Sequence, residues 1–491
     1  MKRYCVLALM GAVAIAWSGD ESAPGADNVG KTSSERRADS STVRSSLTQE
    51  LTFKVPAPAG AKHSSAVRRG YNLLLNKSYL PPDFDQETFN ELWKTWDEPL
   101  RSQAEAASAE ERRRMAFARY GLLERPNDPA SRPLQYVVDE RGNWSMNCFA
   151  CHQGKVAGRI VPGVPNSLYA METLCDDVRT TKLRLGKKLS HMDLGGMFMP
   201  LGGTTGTTNA VMFGVALLAH RDPDLNLVPK LQLTPMTHHD HDAPPWWHFR
   251  RKRMLYIDGF APKAPRPLMQ FLLVKENGPE KFRQWETDFA DIYTYLESLR
   301  PPKYPWAVDA PLAAAGEGVF RRNCSTCHGT YGEHGRYPEK LVPIDVVQTD
   351  RVRLDALTPE HRRRYGKSWF ASYSKPPVVE DPQGYVAPPL DGIWASAPYF
   401  HNGSVPTLWH VLNSGERPRV WRRARDDGYA RTKVGLEVET FDRLPAGIAS
   451  NSDRRGYFDT TKKGKSAVGH RFPDKLSPQE KLSVLEYLKT L

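Results

Sequence analysis

Two five-residue units constrain this chain more than anything else in it: Cys148-Phe-Ala-Cys151-His152 and Cys324-Ser-Thr-Cys327-His328. With six cysteines and 14 histidines in 491 residues, one Cys-x-x-Cys-His unit is already a rare accident, and two are rarer still. The chemistry explains the spacing. Two thiols on one helical turn can each add to a vinyl group of one haem. The next residue then turns its imidazole to the iron as the proximal ligand. The units predict two covalently bound haem c groups, attached at Cys148, Cys151, Cys324 and Cys327, with His152 and His328 as iron ligands. A thioredoxin-like redox pair or half of a zinc site also uses Cys-x-x-Cys, but neither calls for a histidine directly after it. Cys175 is unpaired once Cys5 is set aside, and reads as buried apolar filler.

The N-terminus fits assembly in an oxidising compartment. Lys2 and Arg3 precede an uncharged, mostly apolar run from Tyr4 to Trp17, too short for a bilayer, and Ala14-Ile15-Ala16 offers a small-x-small cleavage site. Residues 1–17 therefore read as a signal peptide, the other reading being an uncleaved anchor. Residues 18–54, rich in Ser, Ala, Asp, Glu and Arg without apolar periodicity, read as a flexible leader. The expected location is periplasmic or secreted.

The rest divides into two similar halves. Thr88 to Trp96 reads as a short helix. Ser108-Ala-Glu-Glu111 reads as a capping box opening a helix to about Leu123, and Gln135 to Val138 as an extended lead into the first unit. Residues 279–299 read as helical and end in Tyr295-Leu-Glu-Ser-Leu299 before Pro301 and Pro302. Gly316 to Phe320 starts a helix that delivers Cys324. Ser477-Pro-Gln-Glu480 opens a last helix, with Leu482, Leu485 and Leu488 at helical spacing, and Tyr487-Leu-Lys-Thr-Leu491 echoes 295–299. The 39 prolines imply many fixed loops. The expected fold is mainly α with long irregular loops: two cytochrome c-like domains, each with a covalent haem, at 55–300 and 313–491, joined by a Pro-rich linker at 301–312. Insertions are expected at about 185–260 and 335–400.

What lies opposite each proximal histidine decides function. Methionine raises the potential, histidine lowers it, and an open position admits O₂ or peroxide. All 12 methionines fall between Met1 and Met269, so the second half has none to offer. Its candidates are His334, His361, His401, His410 and His470. For the first half they are His191, Met192, Met197, Met199 and Met212, or no ligand at all.

The stretch Ala387-Pro-Pro-Leu-Asp-Gly-Ile-Trp-Ala-Ser-Ala-Pro-Tyr-Phe-His-Asn-Gly-Ser-Val-Pro-Thr-Leu408 resembles the signature of the bacterial di-haem cytochrome c peroxidase superfamily. Tyr457-Phe-Asp-Thr460 and Gly464-Lys-Ser-Ala-Val-Gly-His470 are most similar to its rubber-oxygenase branch. The resemblance implies that His470 is the sixth ligand of the second haem. It also implies a tryptophan between the haems and a phenylalanine beside the oxygen site of the first, which fall on Trp247 and Phe260. The peroxidases place a methionine downstream of the Tyr-Phe-His stretch, and this chain has none. Candidate catalytic residues are thus Trp247, Phe260 and His191; candidate iron ligands are His152, His328, His470 and His401.

Other features carry less. His238-His-Asp-His-Asp242 could bind a metal or form a haem-edge loop. Gly202-Gly-Thr-Thr-Gly-Thr-Thr208 lacks the lysine of a phosphate loop and reads as close packing. The net charge of +12, with no nucleic-acid motif, points to an acidic redox partner in the cell envelope. Two function classes remain open. One is a haem-dependent oxidoreductase using O₂ or peroxide at the first haem, with the second as electron store. The other is an electron-transfer cytochrome with both haems six-coordinate.

Overall fold

A computed structural model describes residues 65–229, 235–372, 375–448 and 450–491. The expected signal peptide and leader, and the start of the first expected domain, lie outside them. None of the described helices is long and apolar enough to cross a membrane.

The architecture is organised by two helix crossings. The helix Ser65–Asn76 packs on Glu286–Ser298, and Ala310–Asn323 packs on Pro478–Leu488. A glycine lets each pair approach closely. A Cβ on Gly70 would stand 2.2 Å from the Asp291 carbonyl oxygen, and one on Gly316 would stand 1.9 Å from that of Ser483. Four residues on, one helical turn later, a large apolar side chain is buried in each case: Leu74 and Phe320. The echoed tyrosines close the crossings. Tyr71 and Tyr295 have ring centres 5.6 Å apart, and Phe320 and Tyr487 5.3 Å.

These crossings rest on end signals of a familiar kind. Asp309 caps Ala310–Asn323 through the Leu312 N–H, so this helix begins earlier than Gly316, inside the stretch read as linker. Ser477 and Glu480 form the expected reciprocal capping box, with Pro478 in the first turn. The helix from residue 279 is divided at Trp285, into Pro279–Gln284 and Glu286–Ser298. Leu482 points outward at 43% exposure, and Val484, Leu485, Tyr487 and Leu488 supply the buried face instead. Gly316→Ala should destabilise the protein by about 3 kcal/mol, the upper range for overpacking, because the obstacle is backbone and cannot rotate away. A denaturant midpoint within error of wild type would disprove the crossing.

The fold is mixed rather than mainly α. Fourteen strands, none longer than four residues, form six small antiparallel sheets among the described residues. The stretches expected as insertions hold helices too, among them His191–Phe198, Ala210–Ala219 and Pro359–Lys367, with short strands between them. The largest of these sheets are Phe84–Asp85 with Asn143–Met146 and Tyr136–Val138, and Val438–Phe441 with Val420–Arg423 and Tyr457–Asp459. A second core forms around Phe89, Trp96, Phe117, Tyr120 and Trp144, joined by Tyr169, Leu174 and Val178 from after the first Cys-x-x-Cys-His unit. The main core takes Phe149, Trp247 and Phe289 from the first half and Phe320, Trp394 and Phe458 from the second. Asp258, fully buried, bridges Arg353 at 3.1 Å and Arg362 at 2.8 Å, tying the insertions together.

Candidate haem sites

Each Cys-x-x-Cys-His unit forms one helical turn. The units end in Phe149–His152 and Ser325–His328, with His152 N–H donating to Cys148 O and His328 N–H to Cys324 O. All four cysteines are free thiols. The turn puts the two thiols and the imidazole on one side, as attachment to a single planar group demands.

Both histidines are oriented in the same way. His152 Nδ1 lies 3.1 Å from Pro244 O, and His328 Nδ1 lies 2.9 Å from Pro388 O. A carbonyl only accepts, so in each ring Nδ1 carries the hydrogen and Nε2 keeps its lone pair for a metal. Burial lowers both pKa values, that of His152 to about 4, which favours the neutral imidazole a metal requires. The donor set fits covalent haem. The two carbonyls belong to a repeat, Ala243-Pro244-Pro245 and Ala387-Pro388-Pro389, which the sequence reading passed over. Comparing the two halves for short Pro-rich repeats would have found it.

Opposite His328 stands His470. Their ring centres are 6.1 Å apart at an interplanar angle of 66°. The chain reaches this point through two left-handed residues, Gly469 (φ 78°) and His470 (φ 47°), and a Cβ at Gly469 would meet Gln348 backbone at 2.2 Å. Arg417 holds the loop. Its guanidinium donates to the carbonyls of Ala467 and Gly469, each at 2.7 Å, and to His410 O at 3.0 Å. It also lies over the Phe400 ring, which flanks His470. Burial pushes its pKa down to about 10. Arg417 is a positioning residue that sequence reasoning missed; a single arginine in a loop carries no local signal.

The other second-half candidates lie elsewhere. His401 packs on Tyr385, with ring centres 4.6 Å apart. His361 caps its own helix by accepting from Thr358 N–H, and His410 bonds the Thr407 hydroxyl. His334 is exposed.

On the first side, His152 stacks on Trp246 at 4.8 Å, and no histidine ring faces it among the described residues. His191 Nε2 is 3.5 Å from Asp83 Oδ1, beside the buried Lys182–Asp193 pair. Met197 is 62% exposed, while Met199 and Met212 are buried in the main core. Phe260 stacks on Tyr256 at 4.6 Å and lines a pocket with Val211, Gly214, Tyr256 and His361. Trp247 is fully buried, and its Nε1–H donates to Asp391 O at 2.7 Å. This bond links the two repeats directly, since Trp247 follows Pro244 by three residues and Asp391 follows Pro388 by three. Asp240 bonds Lys465 and His238, and no group of three metal-ligating side chains occurs among the described residues.

Comparison with known proteins bears on this region. A family model described as RoxA-like, cytochrome c-like matches residues 384–422. That segment contains Pro388, Asp391, Phe400 and Arg417. A cytochrome c-like domain implies covalently bound haem c. The uncharacterized protein y4iM of Sinorhizobium fredii (strain NBRC 101917 / NGR234) is 28% identical over 257 residues, covering 47% of this chain and 56% of that protein. The uncharacterized protein y4iJ of the same organism is 29% identical over 260 residues, covering 39% and 41%. The chain thus spans about half the length of these curated relatives.

Proposed function

We propose that this chain is an exported di-haem c-type cytochrome of the di-haem peroxidase type, and a haem-dependent oxidoreductase that uses O₂ or peroxide at the first haem. The second haem stores or supplies electrons. The observation that carries the reading is an asymmetry between two otherwise equivalent sites. His152 and His328 both present Nε2 from a proline-carbonyl hydrogen bond, but among the described residues only His328 has an imidazole facing it. Two imidazoles binding one iron from opposite faces bring their ring centres to about 6 Å, because each metal–nitrogen bond is about 2 Å. The His328–His470 spacing of 6.1 Å supports that arrangement.

Haem would be held by Cys148, Cys151 and His152 at one site and by Cys324, Cys327, His328 and His470 at the other, and would supply an iron able to exchange single electrons and to bind a small ligand. The residues do the rest. His470, fixed by Arg417, closes the second site and suits it to electron storage. Trp247 joins the Ala-Pro-Pro loops of both sites through the Asp391 carbonyl, which supports its role between the haems. Phe260 and Tyr256 keep a mostly apolar pocket in which a substrate would be shielded from water. The paired helix crossings, with Gly70 and Gly316 in equivalent roles, support two cytochrome c-like modules divided near 301–312.

Mass spectrometry should find two covalent haems per chain and a mature N-terminus beyond the signal segment. The ferrous protein should bind one CO per chain. A protein with two haems and no CO binding, and no turnover with peroxide or O₂, would leave the electron-transfer cytochrome as the correct reading. One haem or none would disprove the di-haem assignment.

A further inference from the structure

We infer that the face formed by Tyr304, Trp306, Trp394 and Tyr429 is the electron-exchange port of this protein, built for an acidic redox partner. This rests on the di-haem reading above and names where electrons enter or leave.

The four rings form one continuous cluster. Tyr304 and Trp306 are 5.2 Å apart, Tyr304 and Trp394 5.4 Å, Trp306 and Tyr429 4.9 Å, and Trp394 and Tyr429 6.1 Å. All four are tyrosine or tryptophan, the side chains most readily oxidised by one electron, and no aliphatic residue interrupts the contacts. Electron tunnelling falls exponentially with distance, so rings in contact make a far better path than the same span of loop.

The cluster has an inner end and an outer end. Trp394, 2% exposed, is inner and is fixed by its Nε1–H to Pro302 O at 3.0 Å. It lies three residues beyond Asp391, whose carbonyl receives the Trp247 Nε1–H. Gly392 between them has φ 63°, and a Cβ there would stand 3.0 Å from Trp247 Nε1. Only glycine lets this loop lie against the Trp247 ring. The backbone two residues before Trp394 therefore lies against Trp247, the residue that joins the two Ala-Pro-Pro loops. Tyr304, Trp306 and Tyr429 are half-buried and reach the surface.

The outer end is cationic. The Arg431 guanidinium lies 4.6 Å from the Trp306 ring centre, while Lys489 Nζ, 5.6 Å from that of Tyr304, is ion-paired with Glu486 and adds no net charge. Arg431 is exposed, and so are Lys433, two residues after it, and Lys303, next to Tyr304 in sequence. A cationic rim on a protein of net charge +12 steers an acidic partner to these rings. In each transfer the donor loses one electron and the acceptor gains it; the electron tunnels across the ring contacts without leaving any ring oxidised, so no bond or proton moves.

The dithionite-reduced di-haem protein is mixed with ferricyanide, an anionic one-electron acceptor, and with hexaammineruthenium(III), a cationic one. Trp394→Phe keeps an aromatic ring in place but removes the electron-rich indole. It should slow ferricyanide oxidation of the haems by about tenfold with unchanged haem spectra and potentials. Arg431→Glu should slow ferricyanide by about tenfold at low salt, flatten its salt dependence and spare hexaammineruthenium(III). Iodide quenching of the Trp306 emission, taken as wild type minus Trp306→Phe, should fall in Arg431→Glu. A wild type lacking two haems fails the earlier reading before this test begins. A two-haem protein in which both variants keep wild-type ferricyanide rates overturns the port alone.

Discussion

His470→Ala should convert the second haem from a low-spin to a high-spin or water-ligated state, with a raised reduction potential, while the first haem keeps its spectrum. A strong basic ligand stabilises the ferric ion, so its loss favours the ferrous one. The effect should be large because nothing nearby can substitute. The second half contains no methionine. His401 is engaged with Tyr385, His361 and His410 are held by hydrogen bonds, and the 467–470 loop is clamped by Arg417. Added imidazole should restore the low-spin spectrum, which a merely structural defect would not allow. Absorption and electron paramagnetic resonance spectra decide the matter. An unchanged spectrum would mean that the ligand lies elsewhere, with His401→Ala the next variant to measure.

Replacing Cys148 and Cys151 together by alanine should remove one covalent haem and leave the other attached at Cys324 and Cys327. The second attachment turn is carried by Ala310–Asn323, whose crossing with Pro478–Leu488 does not involve the first site. The lost haem is also lost stabilisation, because a group bound only by the folded chain contributes to folding. Phe149 and Trp246 would then border an emptied crevice. The variant should therefore melt well below wild type. Mass spectrometry counts the haems, and retention of both, or loss of both, would contradict independent sites.

The two Cys-x-x-Cys-His units were legible in the sequence because their geometry is local. Two thiols and an imidazole within five residues act through one helical turn, so spacing along the chain is spacing in space. The closing helices were legible for the same reason, through Ser477, Pro478 and the echo of Tyr295 in Tyr487. Gly70 was not. Its helix lies some seventy residues before Cys148, and a glycine in a helix carries no sign of what crosses it. The strands of the insertions were equally hidden, since segments of two to four residues are too short to show a period.

The sequence by itself determined which residues are available for such chemistry: two cysteine pairs, each followed by a histidine, and no methionine in the second half. The resemblance already pointed to His470; only the tertiary structure decided that its ring faces His328, which carbonyls orient His152 and His328, and that Trp247 joins the two loops. Those contacts bridge 60 to 144 residues of chain. Hydrogen bonds and ring contacts of that kind depend on backbone paths set by core packing and glycine-permitted turns, and no local pattern encodes a direction in space.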